Sequence, residues 1–286
     1  MNLRYAFMRF PQGKPKAVTL SYDDGAYTDM RLIETLDKYG LKCTLNLTGD
    51  AVANNRGLTH DYIKSEVLGH GHEIANHGYM HRALDSVRPI EGIRETLETR
   101  LALEKAFGGI IRGMAYADRS VDRFSQPIIY ESVRSYLSQL DIAYARAATS
   151  SKSFALPEDW LNWNPTAHHN APDLFELIDR FVSMDLNQIY CSNRAPKLFF
   201  LWGHSFEFES DKNWDRLETI CQKLSGHSDI WYATSMDICQ YAKAYESLLY
   251  SADGSTVYNP THIELWMDVD QKIVKISPNE TVNIQQ

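Results

Sequence analysis

The sequence predicts an α/β protein: a (β/α) barrel of seven strands with a small C-terminal β extension. Two observations carry this. Seven short apolar runs alternate with longer segments of helical periodicity, which is the pattern of a parallel sheet with crossover helices. After Ala244 the texture changes to apolar–polar alternation with turn signals at Asn259-Pro260 and Pro278-Asn279. The expected division is a barrel over 1–246 and a β-rich extension packed on it over 247–286.

Taken in order, the predicted strands are AVTLSY (17–22), CTLNLT (43–48), HEIANH (72–77), IIRGMAYA (110–117), IAYARAA (142–148), LFFLWGH (198–204) and IWYATS (230–235). Helices are predicted over 28–39, 60–68, 90–107, 128–140, 172–186 and 214–224. Four of these run into a glycine (Gly40, Gly69, Gly108 or Gly226), the residue that most readily ends a helix. No G-x-G-x-x-G follows the first strand and no P-loop is present, which disfavours a dinucleotide-binding sheet.

The 286 residues, 44% of them hydrophobic, are enough to bury a large core. A net charge of −8 with no Lys/Arg-rich run excludes a nucleic-acid surface or an anionic-membrane anchor. Cys43, Cys191, Cys221 and Cys239 are scattered without a C-x-x-C pair, so neither a structural zinc site nor a disulfide framework is expected. Cys43 and Cys239 read as buried thiols. Arg4 and Arg9 interrupt any signal-peptide core, and no run approaches the roughly 20 apolar residues of a membrane span. The expectation is a cytoplasmic protein.

Barrels of this type gather their chemistry at the C-terminal ends of strands. Those ends offer Asp23 and Asp24, Asn76 and His77, the segment 112–118, His204, and Ser235 with Asp237. Carboxylates and imidazoles from different strands converging on one mouth mean metal or acid–base chemistry. His77 and His81 are four apart, and on a helix both rings would share a face and one metal. With Asp24 they make two histidines and a carboxylate, leaving a coordination position open for water.

The stretches carrying these residues resemble the motifs of the polysaccharide deacetylases, the NodB-homology family or carbohydrate esterase family 4. SYDDG (21–25) is similar to the first motif and GHEIANHGYMH (71–81) to the second. IRGMAYA (111–117) resembles the third without its usual proline, and LFFLWGHS (198–205) resembles the last. The resemblance implies a distorted (β/α) barrel and a divalent metal, expected to be Zn2+, held by Asp24, His77 and His81. It further implies Asp23 as general base, His204 as general acid, Arg112 bracing the base, and a backbone N–H near Tyr116 facing the oxyanion. An aspartate should brace the acid, and Asp159 is the candidate. Trp160 and Trp163, in PEDWLNW, are candidates for stacking on a sugar face and equally for the core. His168-His169 read either as loop residues touching substrate or as solvated, and Glu207 either as orienting His204 or as exposed.

The function implied is removal of an acetyl group from an N-acetylated carbohydrate. A hydrolase of the same fold acting on a cyclic ureide or imide is the alternative, and a non-catalytic carbohydrate-binding relative is a third reading. The last predicts a lost base or ligand, whereas Asp23, Asp24, His77, His81 and His204 are all present.

Overall fold

A computed structural model describes residues 5–119, 121, 124, 129–190 and 193–285. Arg4, Cys191 and Ile128, named above, lie outside the described residues.

The central sheet is parallel and curls into a half-barrel. Its strands are β2 (Lys16–Asp23), β3 (Cys43–Leu47), β4 (Glu73–Asn76), β5 (Gly113–Ala115), β6 (Tyr144–Arg146), β7 (Ala167–His168), β8 (Lys197–Gly203) and β9 (Ile230–Tyr232), preceded in the chain by β1 (Ala6–Arg9). The order is β6-β5-β4-β3-β2-β8-β7. β9 pairs with the first residues of β2, Lys16 to Val18, while β3 pairs with its last, Leu20 to Asp23. Each predicted strand has its counterpart here. β7 is the addition: two residues carry no period-2 signal, so only pairing with Leu201 and Trp202 of β8 defines it.

β2 is buried along its whole length, as befits a strand flanked on both sides and covered on both faces. Helix Asp29–Lys38 lays Leu32, Ile33 and Leu36 against the core and stops at Gly40, whose φ of 65° is the left-handed turn the sequence signalled. The segment from His60 is α-helical only to Tyr62 and continues as a π-helix over Ile63–Leu68. Helices Pro89–Phe107, Tyr130–Gln139, Leu174–Val182 and Trp214–Leu224 follow the expected pattern. Besides the short Gly49–Ala53, two further helices, Ser205–Ser210 and Ser235–Glu246, went unread because each begins directly where a strand run was taken to end. The second is capped by Thr234, whose hydroxyl accepts the Asp237 N–H while Asp237 reaches back to the Thr234 N–H.

Beyond the barrel lie β10 (Leu249–Tyr250), β11 (Thr256–Tyr258), β12 (Leu265–Val269), β13 (Lys272–Ile276) and β14 (Thr281–Asn283). β12 pairs antiparallel with both β13 and β1, so the first and last parts of the chain share a sheet. Asp268 receives both Arg9 and Arg194 in a buried cluster that ties three remote segments together. Val257, Leu265, Met267 and Ile276 join the apolar cluster formed by Leu198, Phe200, Ile238 and Tyr241. Among the described residues no helix is long and apolar enough to cross a membrane.

Candidate metal and acid–base centre

The C-terminal ends of β2, β4, β6 and β8 surround one point. At the end of β2 the backbone turns abruptly: Asp24 has φ 79° and Gly25 φ 66°. The left-handed φ at Gly25 favours glycine, and a Cβ there would also press on the end of the Leu47 side chain at 2.7 Å. This turn separates the two carboxylates. Asp23 remains in the strand and is buried, while the Asp24 side chain is 32% exposed and faces the mouth.

Asp23 is held from three sides. Its Oδ1 accepts from Asn46 Nδ2 at 2.8 Å, and its Oδ2 accepts from Arg146 Nη2 at 2.5 Å. His77 Nε2 and His204 Nε2 each lie 3.8 Å from the same Oδ2. Burial pushes the Asp23 carboxyl up, but Arg146, His77, His204 and Asn46 outweigh it and hold the group below its ordinary value. Asp23 is therefore an ionised carboxylate in a buried setting.

His77 Nε2 and His81 Nε2 lie 3.6 and 3.5 Å from Asp24 Oδ1. In a tetrahedral zinc site, bonds of about 2.0–2.1 Å place neighbouring ligand atoms about 3.4 Å apart, so the two histidine–carboxylate spacings fit a metal. His77 Nδ1 donates to the Ala115 carbonyl at 3.1 Å, which leaves Nε2 unprotonated and directed at the mouth. The two rings do not share a helix. Residues 77–81 form an irregular loop in which Gly78 (φ 79°) and His81 (φ 56°) are left-handed, and the ring centroids meet at 4.8 Å. Two of the three candidate ligand positions, Asp24 and His81, are non-glycine residues with positive φ, strain of the kind that concentrates at functional sites.

His204 follows β8, with Nε2 4.0 Å from Asp24 and Nδ1 3.6 Å from Glu207. Burial lowers its pKa, but Glu207, Asp23 and Asp24 reverse this, and the net shift is upward.

Four expectations are corrected. Arg112 is not at the centre: it precedes β5 and pairs with Asp141 in an exposed ion pair at the other end of the strand. The arginine on Asp23 is Arg146, at the C-terminal end of β6, its guanidinium stacked 4.5 Å over Trp202. It lies 123 residues from Asp23, and its only sequence signal was its place at the end of a predicted strand. The Tyr116 N–H is used inside the sheet, donating to the Arg146 carbonyl at 2.9 Å, and its hydroxyl donates to the Leu161 carbonyl, so neither is free for an oxyanion. Trp163 is 1% exposed and packs on Tyr144, Phe200 and Trp160, so it is core; Trp160 is half-buried beside it. Asp159 caps Leu161 and binds Tyr130 and Arg134, away from His204. His70 and His72 are structural: His72 accepts the Cys43 N–H and meets Asp37, and exposed His70 pairs with the same aspartate.

Known proteins resemble the chain in sequence and in fold. The sequence model of the family described as "Polysaccharide deacetylase" matches residues 11–142, the stretch holding Asp23, Asp24, His77 and His81. YxkH of Bacillus subtilis, named provisionally as a polysaccharide deacetylase, is 30% identical over 94 residues, 32% of this chain and 33% of its own. The chain thus spans about a third of that relative's length. Among solved structures, a protein of Mycobacterium smegmatis provisionally described as a polysaccharide deacetylase superposes with a TM-score of 0.57 at 17% identity, covering 84% of this chain and 94% of its own. The Puue allantoinase superposes with a TM-score of 0.59 at 13% identity, covering 81% and 91%. At those identities the two structures share the fold.

Proposed function

We propose that the chain, whose residues 11–142 match the polysaccharide deacetylase family, hydrolyses the acetamide of an N-acetylated sugar with the help of a bound zinc ion. The observation carrying this reading is the meeting of an ionised buried carboxylate, Asp23, with the Asp24–His77–His81 donor set and the His204 imidazole at one mouth.

Asp24, His77 and His81 would hold the metal, whose charge, when bound, polarises the acetamide carbonyl and makes water a better nucleophile. Asp23 takes the proton of the attacking water. Its two oxygens are already aimed by Asn46 and Arg146, so no reorganisation is needed as charge moves. His204 Nε2, on the same mouth, gives its proton to the nitrogen of the departing amine. Arg146 keeps Asp23 ionised and fixes its orientation, the task the sequence had assigned to Arg112.

The test is metal analysis of the purified protein followed by acetate release from a panel of N-acetyl sugars. Zinc bound through Asp24, His77 and His81, with acetate released, supports the reading. Zinc bound with no acetate from any sugar sinks it and directs the search to cyclic ureides and imides.

A further inference from the structure

A histidine that donates a proton from Nε2 needs a partner at Nδ1, and the carboxylate beside that nitrogen in His204 is Glu207. Resting on the deacetylase reading, we infer that Glu207 is the positioning residue for His204 and that the His168–His169 pair serves to aim it.

The local sequence makes the first half of the arrangement. His204 is the N-cap and Glu207 the third residue of helix Ser205–Ser210, and Glu207 Oε2 accepts the His204 backbone N–H at 3.4 Å. Glu207 therefore rides on the same turn as His204, with Oε1 3.6 Å from His204 Nδ1, just outside hydrogen-bond distance. Catalytic hydrogen bonds are often that long before substrate arrives. β7 makes the second half. Its pairing with β8 sets two imidazoles against the same oxygen: His168 Nε2 lies 3.2 Å and His169 Nε2 2.9 Å from Glu207 Oε2. His169 is fully buried, with its ring 4.1 Å from that of Phe208, so its position is set by the core.

Two rival readings fail on geometry. The donor atoms of His168, His204 and Glu207 lie within 4.8 Å of one another, the spacing of a second cation site. But His168 Nδ1 accepts the Asn170 N–H at 3.1 Å, so Nε2 of the neutral ring carries the hydrogen and has no lone pair to give. That nitrogen faces Glu207 Oε2 at 3.2 Å instead. A helix cap alone accounts for the bond from the His204 N–H but leaves two converging imidazoles without a purpose. With Oε2 accepting the His204 N–H and both imidazoles close against it, the carboxylate is confined, and Oε1 lies on the His204 side. The aspartate sought at Asp159 is thus replaced by a glutamate three residues after the acid.

The test separates proton donation from general damage. Glutamine serves a capping box as well as glutamate, so Glu207→Gln keeps the turn and removes the charge. The variant is compared with wild type on N-acetylglucosamine oligomers, whose amine must be protonated to leave, and on 4-nitrophenyl acetate, whose phenolate leaves unaided. A general acid contributes about 10²–10⁴-fold, so kcat on the oligomers is expected to fall about hundredfold with KM little changed and the ester rate within about threefold. His168→Ala should lower kcat on the oligomers about tenfold and add nothing to Glu207→Gln, because it acts through that residue. Equal loss on both substrates, or additive losses, overturns the inference. Independently of turnover, 15N spectra of His204 should show a protonated Nδ1 in wild type that is lost in Glu207→Gln, and an unchanged spectrum also overturns it. A wild type that shows this spectral change yet releases no acetate would sink the deacetylase reading and leave the positioning intact.

Discussion

The exchange of one arginine for another gives the sharpest prediction. Arg146 and Asp23 form an ion pair with side chains 1% and 2% exposed, whereas Arg112 and Asp141 form one with side chains 37% and 66% exposed. Replacing Arg146 by methionine, of similar length, strands the Asp23 charge in the sheet with Asn46 as its one remaining hydrogen-bond donor among the described side chains. Breaking a buried pair from one side costs about 3–5 kcal/mol, while an exposed pair is worth about 0–1 kcal/mol. Taking an m-value of about 3 kcal/mol/M, Arg146→Met should lower the urea midpoint by about 1–1.7 M and Arg112→Gln by about 0.3 M or less. The assay is equilibrium urea unfolding at pH 7 of chelator-treated protein, so that metal release does not enter. Adding Asp23→Asn to Arg146→Met removes the stranded charge and should recover most of the loss. Equal midpoints for the two arginine variants, or no recovery in the double variant, would refute the reasoning.

Three further outcomes are expected. Asp23→Asn should retain bound zinc and lose turnover by about 10²-fold or more, whereas His77→Ala should lose the zinc itself; metal analysis beside an acetate assay distinguishes them. Trp163→Ala should cost about 3–5 kcal/mol in urea unfolding because it empties a core position, and a loss confined to KM would contradict its burial. Burial raises the Glu73 carboxyl to about 7 despite bonds from Thr44, Tyr144 and the Met236 N–H. A carboxyl whose folded pKa exceeds its unfolded value holds its proton in the native state, so stability falls as pH rises from about 4.5 to about 7 and stays lower above that. Glu73→Gln should abolish that decline, up to about 3 kcal/mol by unfolding measured across this range; identical pH profiles for variant and wild type would contradict it.

The sequence by itself determined what depends on neighbours along the chain. Periodicity marked the strands because burial on both faces leaves an apolar run, and glycines marked helix ends because a left-handed φ is cheap only for them. The pairs Asp23-Asp24 and His77-x-x-x-His81 could be read because each is a short stretch at a predicted strand end, and the two together resemble the motifs of one family. Tertiary structure decided everything that depends on which strand end meets which. Arg112 and Arg146 both sit near strands and look alike in sequence, but the sheet direction sends one to the N-terminal end of β5 and the other to the mouth at the end of β6. Trp160 and Trp163 are three apart, and only the packing of Tyr144 and Phe200 shows which is core. The convergence of His77 and His81 survived although the helix expected to produce it did not form, because left-handed turns at Gly78 and His81 bring the rings together instead. β7 was illegible for the same reason: two residues have no period, and their role exists only against β8, where they turn His168 and His169 toward Glu207.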